Sequence, residues 1–345
     1  MNRRSFHYLT SMGMAAALTK LTTIMSARLK PVKLSVGDKV GLIAPGSAIP
    51  TDRIERAVET SKKLGLVPIL GDYVYEVNGY LSGTDTQRLA DLHRMFGDQS
   101  IKAIWCIRGG YGCTRLLPSI DYRLIRKNPK ILLGYSDITA LHLAIQKECG
   151  LITYHGPVAS SRPTDYTMNT LKEVLFKSEP GTIKLAETDS NPNTSSNYVI
   201  YNGQAEGALV GGNLSLLAAL AGTRWCPSYA GKIVFIEDVG EKPYRIDRML
   251  VQLFQSTDLR EASGIILGQF NDCEAKPGEN TLSLRETLQH QFSKLKVPVF
   301  YGFSFGHVDD NCTLPVGIRV RFNTDDKVLH ILESSTEKVR VQSGE

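Results

Sequence analysis

The chain predicts an α/β fold built on a parallel, doubly wound sheet and divided into two domains. Three observations carry this. Short apolar runs closed by Gly or Pro alternate with stretches of helical spacing, first in one half and again in the other. The length of 345 residues suffices for two bodies that each bury a core. A polar, turn-rich stretch, Glu187-Thr-Asp-Ser-Asn-Pro-Asn-Thr-Ser-Ser-Asn197, reads as a surface linker between the halves. The expected divisions are residues 31–185, a linker over 186–204, and 205–345.

Each element has its own signal. Residues 40–45 form an apolar run closed by Pro45 and Gly46, a first buried strand. Thr51 is placed to cap a helix to residue 64, with Ile54, Ala57, Val58 and Leu64 on its apolar face. Residues 66–70 are a second strand, and 85–96 have helical spacing at Leu89, Leu92 and Phe96. Residues 103–107 are a third strand, ending in Arg108-Gly109-Gly110-Tyr111-Gly112, with the next helix starting at 114–117. Residues 131–135 are a fourth strand and 138–149 its helix. Beyond the linker, Gly211-Gly212-Asn213-Leu214 precedes a helix at 216–220. Residues 232–236 form a strand ending at Glu237-Asp238, 244–254 a helix, 264–268 a strand and 282–295 a helix. Residues 297–301 lead into Gly302-Phe-Ser-Phe-Gly306-His307, and 318–332 alternate as β-strands do.

Bulk properties exclude several functions. Five of the 40 basic residues, and no acid, lie in residues 1–30, so the rest of the chain balances at 35 of each sign. A neutral body with no basic run makes no electrostatic case for nucleic acid. The six cysteines are widely spaced without Cys-x-x-Cys, which indicates single buried thiols rather than a zinc ribbon or a disulfide framework. Asn2-Arg3-Arg4-Ser5-Phe6 and a modest apolar stretch after it look like a twin-arginine export signal over residues 1–30. That stretch is short and contains Lys20, so stable membrane insertion is not expected.

The chemistry centres on Gly134-Tyr135-Ser136-Asp137. A strand delivers Ser136 to a sharp turn before a helix, much like the nucleophile elbow Gly-x-Ser-x-Gly, except that Ile138 replaces the second glycine. A serine there serves equally as a helix cap, and the motif alone leaves both readings open. Acyl transfer needs a base, an orienting carboxylate and an oxyanion hole. His307 follows a strand and a glycine-rich turn, and Glu237 ends an apolar strand, with Asp238 and Glu241 as rivals. The Arg108–Gly112 loop is able to present free N–H groups, but it fits neither Gly-x-Gly-x-x-Gly nor the Walker pattern. Ser-x-x-Lys at Ser293 and Ser335 lies in late charged segments, and His142 and His155 lack metal-ligand spacing.

Taken in order, these segments resemble the L,D-carboxypeptidases, serine peptidases that include the muramoyl-tetrapeptide carboxypeptidases and the microcin C immunity peptidases. The matching segments are Gly41-Leu-Ile-Ala-Pro45, Arg108-Gly-Gly-Tyr-Gly112 with Arg115-Leu-Leu-Pro118, Gly134-Tyr-Ser-Asp-Ile-Thr-Ala-Leu-His142 and His155-Gly-Pro157. They continue with Gly211-Gly-Asn-Leu214, Phe235-Ile-Glu-Asp238, Tyr244-Arg-Ile-Asp-Arg248, Gly306-His307 and Leu314-Pro-Val-Gly317. The resemblance implies a Rossmann-like N-terminal domain, a C-terminal α/β domain with added strands that supplies Glu and His, an active site at their interface, and often a homodimer. It implies Ser136 as nucleophile, His307 as base and acid, Glu237 as orienter, and the N–H groups of Gly110 and Asp137 as oxyanion hole. The implied substrate is a murein tetrapeptide losing its terminal D-alanine, with no metal or other cofactor. Arg108 and Arg115, on charge and position, and Asn213, from its matching segment, stand as substrate-binding candidates. A peptidase of the microcin-immunity type and an inactive peptide-binding protein on the same fold are the competing expectations.

Overall fold

The computed structural model describes residues 28–187 and 197–338, so residues 1–27 of the expected export segment lie outside the described residues. In the first half, strands β1 (Lys39–Ile43), β2 (Val67–Leu70), β3 (Ile101–Cys106), β4 (Ile131–Gly134) and β5 (Thr153–His155) alternate with helices α1 (Thr51–Lys63), α2 (Asp85–Gly97), α3 (Cys113–Leu116), α4 (Tyr122–Lys127) and α5 (Thr139–Cys149). All five strands pair in parallel, in the order β2-β1-β3-β4-β5. Side chains alternate across the sheet, so β3 sends Ala103 and Trp105 to one face and Ile104 and Cys106 to the other. Helix α1, with α6 (Asp165–Phe176), covers the first face through Ile54, Ala57, Leu171 and Leu175. Helices α2, α4 and α5 cover the second through Leu92, Phe96, Ile125 and Leu141. Burial on both faces is why these strands read as unbroken apolar runs. The chain leaves β1 and β3 toward opposite faces, which opens a crevice at their C-terminal ends, where doubly wound sheets bind ligands.

The second half adds β6 (Gly181–Lys184), β7 (Tyr198–Tyr201), β8 (Gln204–Asn213), β9 (Ile233–Val239), β10 (Gly264–Asn271), β11 (Val299–Tyr301), β12 (Leu314–Val316), β13 (Arg319–Asn323) and β14 (Val328–Ile331). Its helices are α7 (Leu214–Leu220), α8 (Pro243–Ser256) and α9 (Leu284–Phe292). The sheet runs β6-β14-β13-β8-β9-β10-β11-β7, with β8 to β11 parallel and antiparallel strands on both sides.

Four details differ from the sequence expectation. Thr51 opens α1 rather than capping it; Pro50, with φ of −60°, holds the cap position without a side-chain bond. The end of the expected linker is strand β7, because Tyr-Val-Ile-Tyr pairs with β11 and Tyr198 stacks on Tyr301 at 4.8 Å; residues 188–196 lie outside the described residues. Two strands cross the expected boundary. Strand β6 pairs with β14 in the second sheet, and β12 pairs antiparallel with β5 in the first. Finally, β9 runs through Val239, so Glu237 and Asp238 lie within the strand. The six cysteines are free thiols, five of them buried. Among the described residues no helix is long and apolar enough to cross a membrane.

Candidate active site

Strand β4 ends at Gly134, Tyr135 is extended, and Ser136 has a φ of +65° at the start of a short 3-10 helix, Ser136–Ile138, ahead of α5. A left-handed conformation costs a non-glycine residue about 1–2 kcal/mol. The strain lies at the one serine that the sequence singles out. The loop after β3 lies directly against this turn. A Cβ on Gly109 would stand 3.1 Å from both Ser136 Cβ and Asp137 N, closer than side chains usually pack, so glycine eases the approach. Ser47 N–H donates to Gly109 O at 3.0 Å, and Tyr111 N–H donates to Ser47 Oγ at 3.0 Å. The Asp137 carboxylate, buried and raised in pKa by that burial against the pull of its hydrogen bonds, accepts the Cys113 N–H at 2.8 Å. Asp137 therefore ties the Ser136 turn to the glycine loop through its side chain, a role the sequence did not reveal. Its own N–H sits in the first turn of a helix, where no intrahelical acceptor exists.

Gly110 has a φ of +87°, and a Cβ there would meet Ser47 Oγ at 2.4 Å. Replacing Gly110 with alanine is expected to rotate its N–H out of place. The sequence resemblance gives that N–H as an oxyanion donor; on that expectation its loss costs about 10²–10³ in kcat, and steady-state kinetics should show the drop while circular dichroism stays unchanged.

Arg88 stands behind the loop, 2 % exposed. Its Nη1 donates to Pro45 O and Gly112 O, joining the loops after β1 and β3, while Nη2 pairs with Asp85. Arg88→Met would strand two buried carbonyls. We expect a loss of about 3 kcal/mol in urea-induced unfolding.

The second sheet brings the remaining groups. Glu237 on β9 is wholly buried, and its Oε2 lies 2.8 Å from His307 Nδ1. Gly306, just before His307, has a φ of +121° and packs closely here: a Cβ would come 2.9 Å from Gln269 O and 3.2 Å from Glu237 Cβ. The other carboxylate oxygen, Oε1, has no hydrogen-bond partner among the described residues. Burial pulls the His307 pKa down, but the charge and hydrogen bond of Glu237, with the charge of Asp238, outweigh it, and the pKa stands above its ordinary value of 6.5. The His307 ring packs edge-on against Tyr135, the neighbour of Ser136, at 4.8 Å between centroids. Tyr135 in turn meets the buried His155 at 6.0 Å. His142 bonds Gly134 O at 2.8 Å and is pushed down to about 4 by burial, so it stays neutral beneath the turn.

Geometry separates Glu237 from its rivals. Asp238 points to the other side of β9, where it accepts from Asn213 Nδ2 at 3.0 Å and from the Ser215 N–H and hydroxyl at 3.0 and 2.8 Å. Burial and then the Glu237 charge push it up to about 6. Glu241 pairs with Arg245 at 3.4 Å. The two halves meet where Asn213 N–H donates to Thr139 Oγ1 at 3.1 Å, a contact that Gly212 permits because a Cβ would come within 2.5 Å of Thr139.

The substrate-binding candidates fare unevenly. Asn213 is 3 % exposed and engaged internally, its Oδ1 capping α7 at Leu216 N and its Nδ2 on Asp238. Arg115 is held by Asp85 through three hydrogen bonds. Arg108 donates to Ala48 O at 2.8 Å and lies half-buried beside the glycine loop. Among the described residues, no group of three or more His, Cys, Asp or Glu stands close enough together to hold a metal ion.

Known proteins share both halves of this arrangement. Residues 40–156 match the model of the LD-carboxypeptidase N-terminal domain, and residues 206–322 match that of the C-terminal domain. The chain belongs to the LD-carboxypeptidase family. It is accordingly a peptidase. It is 40% identical to the probable murein peptide carboxypeptidase of Bacillus subtilis over 88% of this chain and 94% of that one. It is 37% identical to the murein tetrapeptide carboxypeptidase of Pseudomonas aeruginosa, over 82% of this chain and 92% of the relative. Among solved structures, MccF in complex with glutamyl sulfamoyl guanosine superposes with a TM-score of 0.82 at 28% identity, covering 90% of this chain and all (100%) of that one. The segments that carried the sequence resemblance fall within the two matched regions, Pro157 alone lying one residue beyond the first.

Proposed function

We propose that this family member is a serine L,D-carboxypeptidase that hydrolyses the amide between the L-centre of a diamino acid and the terminal D-alanine of murein tetrapeptides. The observation that carries this reading is the Glu237–His307 bond at 2.8 Å, with the imidazole packed on the residue next to left-handed Ser136. His307 takes the proton of Ser136 Oγ, and the oxygen attacks the amide carbon. The oxyanion rests on the N–H groups of Gly110 and Asp137, each worth about 3–4 kcal/mol. Glu237 holds the imidazole tautomer and stabilises the imidazolium. His307 then protonates the departing amine of D-alanine, leaving an acyl-Ser136 ester. A water deprotonated by His307 cleaves that ester and frees the tripeptide. His307 handles every proton, so this cycle calls for no metal or cofactor. Purified tetrapeptide incubated with the protein should release D-alanine, and absence of release overturns the reading.

The names of the murein-active relatives support the substrate class. One observation favours a second reading, cleavage of a peptidyl-nucleotide amide as in the microcin-immunity branch. Tyr80 and Tyr111, both exposed, meet edge-to-face at 5.5 Å beside the Gly110 loop and offer ring surface for a base. Faster turnover of an aminoacyl sulfamoyl adenosine than of tetrapeptide would decide for it. We further propose twin-arginine export, tested by fractionating cells that carry Arg3→Lys and Arg4→Lys, and a homodimer, tested by light scattering.

A further inference from the structure

The three residues of the proposed triad sit on three separate segments: the turn after β4, strand β9 and the loop after β11. One buried side chain touches a neighbour of each. His155 on β5 is wholly buried, and its backbone lies between two strands, opposite Gly134 on β4 and Leu314 on β12. Its ring meets three aromatic rings edge-to-face, with centroids at 6.0 Å for Tyr135, 5.1 Å for Phe235 and 6.3 Å for Phe305. Tyr135 directly precedes Ser136, Phe235 lies two residues before Glu237, and Phe305 lies two residues before His307. Phe235 and Phe305 also meet each other, at 5.7 Å and an interplanar angle of 87°. Tyr135 closes the circuit by packing on His307 itself at 4.8 Å. Phe305 is fixed from behind, since Gln269 N–H donates to its carbonyl at 2.9 Å and a Cβ on Gly268 would come within 2.5 Å of its ring. Neither His155 ring nitrogen has a hydrogen-bond partner among the described residues, so ring contacts tie it to the chain.

We propose that His155 is a positioning residue whose ring sets the segments bearing Ser136, Glu237 and His307 relative to one another. The inference rests on the triad of the carboxypeptidase reading and deepens it. Each ring contact has a direction. An edge-to-face pair places the positive rim of one ring on the negative face of the other, so turning or shifting either ring weakens it. A flat ring met from three sides therefore fixes both distance and tilt, which an aliphatic side chain of similar volume does not. Residues 235 and 237 share one face of β9, so a shift of Phe235 carries Glu237 with it. Burial, with the charges of His142 and His307, holds the His155 pKa well below its ordinary value, so the ring adds no charge to the site. His155 acts through its three neighbours and not on the reacting atoms.

The test uses the full chain with His155→Leu, which keeps the bulk and removes the ring, and with His155→Phe, which keeps a ring. His155→Leu should lower kcat for D-alanine release from murein tetrapeptide about 10²-fold with KM unchanged, the effect of a misplacement of about 1 Å. Titration of the imidazoles by nuclear magnetic resonance gives a readout that needs no substrate. Glu237, by its charge and hydrogen bond, and Asp238, by its charge, raise the His307 pKa against burial, so a loosened Glu237–His307 contact lowers it. The His307 pKa should fall in His155→Leu, and both kcat and pKa should return toward wild type in His155→Phe. Phe305→Leu cuts the arm to His307 and leaves His155 in place. It should move kcat and pKa in the same direction, and it decides the matter should His155→Leu not fold. Wild-type kcat and His307 pKa in His155→Leu or in Phe305→Leu, or a folded His155→Phe as slow as His155→Leu, overturn the positioning role and leave the carboxypeptidase reading standing. No D-alanine release by the wild type overturns that reading, and the His307 pKa alone then judges His155.

Discussion

Ser136→Ala is expected to reduce D-alanine release from murein tetrapeptide by about 10⁴-fold or more, to the level that binding and the oxyanion donors support without a nucleophile. Alanine keeps the backbone and the volume of the turn, so the far-ultraviolet spectrum and the unfolding midpoint should match the wild type. A companion variant separates function from fold. Ser136 has a φ of +65°, a conformation that glycine adopts without penalty. Ser136→Gly should therefore be as inactive as Ser136→Ala yet about 1 kcal/mol more stable than it. An inactive variant that grows more stable marks a residue strained for its chemistry. Retained turnover in Ser136→Ala would remove it from the mechanism.

The second large effect falls on Glu237. Glu237→Gln is nearly isosteric at a wholly buried position, but it removes the charge facing His307 Nδ1. A drop of about 10³–10⁴ in kcat is expected, because the amide no longer favours the tautomer that frees the other ring nitrogen for Ser136. The pH profile supplies an independent reading. A general base works when neutral, so kcat/KM rises as pH climbs through its pKa. With Glu237 present, the His307 pKa stands above 6.5, and the acid limb of the wild type belongs above that pH. Without the carboxylate, burial remains as the largest influence and lowers the pKa, so the limb should move to lower pH. A limb that stays in place would separate Glu237 from the base.

Much of the fold was legible because both faces of the first sheet are covered. Strands buried on two sides are apolar throughout, and β1, β3 and β4 stand in the sequence as short runs closed by glycine or proline. The edges were harder. Strand β7 hides in a polar stretch, and β6 and β12 are four and three residues long, too short for a periodicity to register. Their partners lie far along the chain, and only those partners make them strands. Asp137 likewise carried no signal for its carboxylate, because its partner is the N–H of Cys113, and every residue has an N–H. Arg88 looked like an ordinary helical arginine, and only packing turned it into a buried clasp between two loops.

The local sequence around Ser136 determined a strand, a turn and a helix, since apolar residues before Gly134 and a helical pattern after it permit little else. It left open whether the serine caps that helix. Tertiary structure decided the point: Ser136 is left-handed, and no side-chain cap bond forms at that helix start. Its surroundings come from four distant segments, namely the loops after β1 and β3, strand β9 and the loop after β11. The sequence determines which side chains a strand end presents, because that follows from neighbours along the chain. Which strand ends share a crevice depends on the register and packing of two sheets, and that choice is made by the buried surface between residues far apart in the chain, as Tyr135 and His307 are, or Glu237 and His307 at 70 positions.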